Sequence, residues 1–285
     1  MTDEFMYTCS ETGLIGWIRK DLQRDLFTDF IRDPKSFLED PLSQILKKGQ
    51  KGQVIRRILK TDHGKAHNVI IKRFRHPSLF RRLAFFLFPS PASRCLKGAS
   101  VLGSNGIPTA VPLAVLEHRN WKDLGISYYV AEEIADSQSL SVFWGDVLPT
   151  LSMGRSVGGR RKILGEVASL FYKLHSRGIY HRDLKGTNIL VRVEDSDHFR
   201  FALVDVDGVS KRNRLSWRKK IKNLVQLNRT LGKRLNLREK AFFLKYYADL
   251  FSLTRSDRKS LVRRVFAVTQ KNDLRSKRKR AGRKL

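Results

Sequence analysis

GIYHRDLKGTNILV, residues 178–191, sets Asp183, Lys185 and Asn188 at offsets of zero, two and five. It lies between a helix-patterned segment and a β-branched run. Upstream, from Arg161, the residues Ile163, Leu164, Val167, Leu170, Phe171 and Leu174 recur at helical spacing, and Gly178 is placed to end that helix. Downstream, "NILVRV" and "RFALVDV" read as two short strands joined by the polar turn "EDSDH". The second strand delivers a carboxylate, Asp205 of "LVDVDG", to its end.

Transfer of a phosphoryl group from ATP requires an acceptor hydroxyl that is oriented and relieved of its proton. It also requires oxygen ligands for magnesium, and cations that offset the phosphate charge. Asp183 is the candidate base and Lys185 the candidate cation for the γ-phosphate. Asn188 and Asp205 are hard oxygen donors of the kind Mg²⁺ prefers. Lys72 sits among apolar neighbours in "VIIKRF", where an ammonium has to face an anion, and the α/β-phosphates are the natural one. Gly49 and Gly52 in "KKGQKGQV" can close backbone N–H groups over phosphate or form an ordinary turn.

"HRDLKGTNIL" matches the protein-kinase catalytic loop at every fixed position, and "VIIK" and "LVDVDG" resemble the nucleotide-gripping and metal-binding blocks in order and spacing. Three departures narrow the family. The phosphate loop retains two glycines, Val206 and Asp207 stand where Phe and Gly are usual, and no Ala-Pro-Glu follows Asp205. The peptide-docking region is therefore missing, which favours a non-peptide acceptor. No acidic residue occurs in "PASRCLKGASVLGSNG", the helix that would carry the glutamate partner of Lys72; Glu117, Glu132 and Glu133 lie beyond it. The layout is similar to the lipopolysaccharide kinase (Kdo/WaaP) family over "SPASRCLKGASVLGSNGIPTAVPLAVLE", "HRDLKGTNILV", "ALVDVDGV" and "KNLVQLNRTL". The resemblance implies an α+β, protein-kinase-like two-lobed fold with a small β-rich N-lobe and a mostly helical, truncated C-lobe. It implies ATP and Mg²⁺ as cofactors and a lipopolysaccharide core sugar, Kdo or heptose, as acceptor. Asp183 and Lys185 would be catalytic, Asn188 and Asp205 metal ligands, and Lys72, Gly49, Gly52 and Glu132 nucleotide-binding residues. The setting it implies is the cytoplasmic face of the bacterial inner membrane.

The remaining sequence divides into residues 1–45, an N-terminal extension with Trp17 and Phe27 docked; 46–134, the N-lobe; 135–270, the C-lobe; and 271–285, a disordered basic tail. "QVIRRIL" and "NVIIKRF" flank the turn-like "KTDHGKAH" and predict a hairpin, and "ISYYVAEEI" predicts the last strand of the N-lobe. With 285 residues, 41% of them hydrophobic, a sizeable core is expected and wholesale disorder is excluded. Cys9 and Cys95 form no ligand pattern and read as reduced thiols. "MTDEFMYTCSETG" has no basic segment followed by an apolar run, so no secretory signal is expected, and "LAFFLFP" is too short to span a bilayer. "SLFRRLAFFLFPSP", Ser78 to Pro91, reads as a helix packed on the first lobe or as a short interfacial anchor.

Charge separates partner classes. The chain carries 57 Lys+Arg against 27 Asp+Glu, a net +30, and Lys211 to Leu285 alone holds 26 basic and 4 acidic residues. Such a field attracts polyanions. Nucleic acid is disfavoured because no recognition module or row of stacking aromatics accompanies the charge. An anionic inner-membrane surface needs charge alone, and an acidic lipid-linked sugar precursor adds a second reason. Among neighbouring groups, His181 and Arg182 read as structural, Asp207 as a turn residue rather than a second metal ligand, and His63, His67 and His175 carry no partner pattern. The residues by themselves leave open a kinase of a protein or small metabolite, and a non-catalytic pseudokinase that binds a partner.

Overall fold

The computed structural model describes residues 4–10, 13–20, 22, 25–60, 66–75, 88–120, 123–195 and 198–281. His63 and the Ser78–Leu87 part of the expected helix or anchor lie outside them. The chain forms two compact units, one of Met1–Leu102 with Thr109–Ala135, the other of Gly103–Pro108 with Asp136–Leu285.

The first unit is built on seven strands: β1 (Phe5–Cys9), β2 (Leu14–Arg19), β3 (Gln44–Gly49), β4 (Gly52–Lys60), β5 (Ala66–Arg75), β6 (Pro112–His118) and β7 (Ile126–Glu132). They pair antiparallel in the order β1-β2-β6-β7-β5-β4-β3. Between β2 and β3 run helices α1 (Asp25–Arg32) and α2 (Pro34–Glu39); α3 (Pro91–Gly103) precedes β6. Asp33 caps α2, its carboxylate accepting from the Lys35 and Ser36 amides, with Pro34 opening the helix.

Strand alternation sorts the side chains. Val69 and Ile71 of β5 join Leu14, Ile18, Ile55, Leu113, Leu116 and Val130 in one core, which Phe27 and Phe30 of α1 and Leu38 of α2 cover. Each such aromatic or aliphatic side chain contributes about 1.5–3 kcal/mol by leaving water. The sequence reading of residues 1–45 as an extension is therefore revised in part: β1 and β2 are strands of the sheet, and α1 supplies its cover. Phe27 is docked, but Trp17 is exposed and stacks edge-on with Tyr7, its register partner, at 5.3 Å.

Lys72 lies on the strand face opposite Val69 and Ile71, paired in register with Val54 and Tyr129. Gly49 and Gly52 face each other at the β3–β4 turn. Gly52 has φ +145, and a Cβ there would overlap the Arg73 carbonyl oxygen, whereas Gly49 borders open space. Gly52→Ala is therefore expected to destabilise the protein by about 1–3 kcal/mol, and Gly49→Ala to stay within about 0.5 kcal/mol of wild type. Thermal melting of the two variants checks the contrast; equal melting temperatures would contradict it.

The second unit carries strands β8 (Ser137–Ser139), β9 (Ile179–His181), β10 (Ile189–Val193), β11 (Phe199–Leu203) and β12 (Val209–Lys211). It also carries helices α4 (Val157–Ser176), α5 (Trp217–Thr230), α6 (Leu237–Leu250) and α7 (Arg255–Ala281). β11-β10-β8 and β12-β9 are two small antiparallel sheets. Ser156 caps α4 by accepting from the Gly159 amide, and Gly178 turns the chain out of it at φ +72. The stripe Ile163, Leu164, Val167, Phe171 and Leu174 is wholly buried. α4 packs on α6 and α5 on α7. Residues 271–281 continue α7, tied to α5 by the Arg229 guanidinium on Asp273 at 2.9 Å.

Candidate active site

The loop between β9 and β10 and the turn after β11 bring the predicted groups of the second unit together. β9 pairs with β12 and β10 with β11, so the HRD segment and the VDVDG segment leave the sheets side by side. The Val204 amide donates to the Asn188 carbonyl at 3.0 Å, and the Val204 carbonyl accepts from His181 Nε2 at 3.2 Å. Both backbone polar groups of Val204, the residue before Asp205, are thereby fixed. Asp205 takes φ +63, the left-handed region that short polar side chains tolerate best.

Within the loop, Asp183 Oδ2 accepts from Lys185 Nζ at 2.5 Å and from Asn188 Nδ2 at 3.2 Å, while Asn188 Nδ2 also donates to the Asp183 carbonyl at 2.8 Å. Both contacts of the Asn188 amide nitrogen are to acceptors, which assigns the flip and turns its oxygen to the other side. One amide oxygen and one carboxylate, completed by water and phosphate oxygens, is a donor set suited to Mg²⁺. Among the described residues no three His, Cys, Asp or Glu side chains are grouped so that they could hold a metal ion by themselves.

His181 is buried, as a structural reading requires. Its Nδ1 accepts from the Asp183 amide at 3.2 Å, so Nε2 carries the proton donated to Val204. Burial pushes its imidazole below the ordinary range, against the opposing effects of the Val204 bond and the nearby carboxylates. Burial likewise pushes His175 down to about 3. An imidazole that titrates lower in the folded than in the unfolded chain stabilises the fold above its unfolded value and loses that contribution as pH falls below it. Stability is expected to drop by about 1.4 kcal/mol between about pH 7.5 and about pH 5.5 from His175 alone, with His181 contributing in the same direction. Urea unfolding at the two pH values measures it, and a flat profile would contradict neutral, buried rings.

Arg182 and Asp207 pair with each other, Nη2 to Oδ2 at 2.7 Å, across the 3₁₀ turn Val206–Gly208. Asp207 is thus the turn residue with an ion-pair partner, and Arg182 closes that turn. Gly208 is required beneath it, because a Cβ would meet the Arg182 side chain at 2.5 Å.

The sequence reading missed three polar residues on α5. Gln226 Oε1 accepts from the Leu184 amide at 3.1 Å and Gln226 Nε2 donates to the Arg182 carbonyl at 2.6 Å. Asn223 Nδ2 donates to the His181 carbonyl at 2.7 Å, and Thr230 Oγ1 accepts from the Gly186 amide at 2.9 Å. Their segment, "KNLVQLNRTL", is part of the family resemblance but carries no assigned roles; the further signal is polar side chains at i, i+3 and i+7 of a helix otherwise buried through Leu224, Val225 and Leu227.

The other predicted residues belong to the first unit. Lys72 stands in mid-strand on β5, and Gly49 and Gly52 form the β3–β4 turn. Glu132 closes β7, where Arg19 holds its carboxylate at 3.3 Å. Glu117 accepts from Ser93 Oγ of α3 at 2.6 Å, which ties that helix to β6.

The lipopolysaccharide kinase (Kdo/WaaP) family model matches residues 91–247, more than half of the chain and all of the loop and turn just described. A solved structure described as WaaP in complex with acyl carrier protein is similar, with a TM-score of 0.62 at 21% sequence identity. The match covers 88% of this chain and 97% of that one. It establishes a shared fold. Comparison with curated protein sequences found no match.

Proposed function

The chain belongs to the lipopolysaccharide kinase (Kdo/WaaP) family, and from that premise we propose that it transfers the γ-phosphate of ATP to a hydroxyl of a lipopolysaccharide inner-core sugar, Kdo or heptose. The observation that carries this reading is the loop geometry: one carboxylate, Asp183, is held by both Lys185 and Asn188 beside the Asp205 turn.

Asp183 accepts the hydroxyl proton and orients the attacking oxygen. Lys185, half-exposed at the end of its contact with Asp183, follows the transferring phosphoryl group as charge moves onto it. Asn188 and Asp205 hold Mg²⁺, which when bound supplies charge neutralisation on the phosphate oxygens. Lys72 grips the α/β-phosphates, with Gly49 and Gly52 covering the nucleotide and Glu132 at its strand end. The bond between the γ-phosphorus and its bridging oxygen breaks as the sugar oxygen bonds phosphorus, and ADP leaves with that bridging oxygen.

The reaction takes place at the cytoplasmic face of the inner membrane. No helix among the described residues is long and apolar enough to cross a membrane. Attachment is through charge: α7 exposes Arg255, Lys259, Arg263, Arg264, Lys271 and Arg275. Each basic residue close to an anionic surface contributes about 1 kcal/mol. The similar WaaP structure contains acyl carrier protein, so co-purification with acyl carrier protein is a parallel partner test. The decisive experiment is incubation of the purified protein with ATP, Mg²⁺ and lipid-linked core precursors, read by mass spectrometry. A gain of one phosphate on Kdo or heptose is expected; transfer only to protein or to free metabolites would replace the acceptor assignment.

A further inference from the structure

The placement of Asp183 depends on groups far from it in sequence. All four bonds from α5 reach the backbone of residues 181–186, the peptide that carries the base: the His181 and Arg182 carbonyls and the Leu184 and Gly186 amides. Backbone amides only donate and carbonyls only accept, so these contacts leave no freedom in how the two side-chain amides are oriented. Gln226 must present its oxygen to Leu184 and its nitrogen to Arg182. Asn223 Nδ2, donating also to Gln226 Oε1 at 2.9 Å, must turn its own oxygen away, toward His175 Nε2 at 3.2 Å. His175 therefore donates from Nε2, and its Nδ1 accepts from the Tyr247 hydroxyl at 2.7 Å. The result is a single directed chain, Tyr247 of α6 to His175 of α4 to Asn223 and Gln226 of α5 to the loop. Asn223, His175 and Tyr247 are almost wholly buried, where an unpaired polar group is costly and a paired one is rigid.

We propose that Asn223, Gln226 and Thr230 are the positioning residues of the phosphotransfer loop, with His175 and Tyr247 fixing the orientation of Asn223 from behind. This inference rests on the assignment of Asp183 as the base. None of the three touches substrate; they act by holding the peptide that presents Asp183. Loss of one rung is expected to misplace the base without removing it, at a cost of about 10- to 100-fold in kcat. The KM for Mg-ATP stays near its wild-type value, because the metal ligands and Lys72 are untouched.

The test compares wild type, Asp183→Ala, Gln226→Met, Thr230→Val and Thr230→Ser. The readouts are kcat, KM for Mg-ATP, and hydrogen exchange at the Leu184 and Gly186 amides. Expected are a fall in kcat for Gln226→Met and Thr230→Val, faster exchange at the amide each one releases, and recovery of most of the rate in Thr230→Ser, which keeps the acceptor oxygen. Thr230 lies at the helix end, and its variants serve should the Gln226 change impair folding. An active wild type with an inactive Asp183→Ala and a normal kcat in Gln226→Met and Thr230→Val would overturn this inference alone. A normal rate in Asp183→Ala would overturn the assignment of the base, and this inference with it.

Discussion

Asp183→Ala is expected to lower phosphoryl transfer by about 10²- to 10⁴-fold while Mg-ATP binds with nearly wild-type affinity. The base acts on the acceptor hydroxyl, and its removal takes away an interaction made in the transition state rather than one that grips nucleotide. The surroundings limit collateral damage. The Asp183 backbone keeps its bond to Asn188 Nδ2 through the carbonyl and its bond to His181 through the amide, so the loop retains its path. Lys185 loses its 2.5 Å partner but is partly exposed, and water replaces the carboxylate at small cost. Asp183→Asn should fall by a similar factor, since an amide occupies the same space but takes no proton. Rates from ³³P transfer, paired with calorimetric Mg-ATP affinity, decide the matter. A parallel loss of nucleotide affinity would reassign Asp183 to the metal, and an unchanged rate would remove it from the chemistry.

Asp183 could be read from the sequence because its partners are close along the chain. Lys185 and Asn188 reach it over two and five residues, so the spacing of the loop encodes the geometry itself. The α5 clamp could not be read in that way. Its contacts span 42 to 44 residues and end on backbone groups, which every residue type possesses and no motif records. His175 was invisible for the same reason, since its partners Tyr247 and Asn223 lie 72 and 48 residues away. The sheet was legible where apolar alternation is strong, as in the β4–β5 hairpin. It was missed at β1 and β2, although "FMYTC" and "LIGWIR" flank the turn-like "SETG". What excluded them was their position ahead of the recognised motifs. Only the pairing of β2 with β6, a hundred residues on, and of β1 with β2 makes them part of the sheet. Helix α7 shows the opposite limit: charge dominates its composition, and its order comes from a few buried contacts such as Leu261, Val265 and Thr269.

Removing the Asp205 carboxylate should weaken magnesium-dependent nucleotide binding, the reverse of the Asp183 result. The Asp205 peptide is set by two bonds at Val204 and by the β10–β11 pairing of Ile189 with Leu203. These are backbone interactions that survive a change of side chain. The left-handed φ of +63 makes the choice of substitution matter. Alanine adds a backbone cost of about 1 kcal/mol there, whereas asparagine tolerates the conformation. Asp205→Asn is therefore the cleaner variant: it keeps the turn, keeps one oxygen, and deletes only the charge. Losing a charge-assisted ligand contact is worth about 1.5–3 kcal/mol, which lowers Mg-ATP affinity by about 10- to 100-fold. Affinity for ATP measured in the presence of a chelator should change little, since no metal links that nucleotide to Asp205. Calorimetric titration with and without Mg²⁺ separates the two contributions. If Asp205→Asn bound Mg-ATP as tightly as wild type, the carboxylate would be no metal ligand, and Asn188 alone could not account for magnesium in the site.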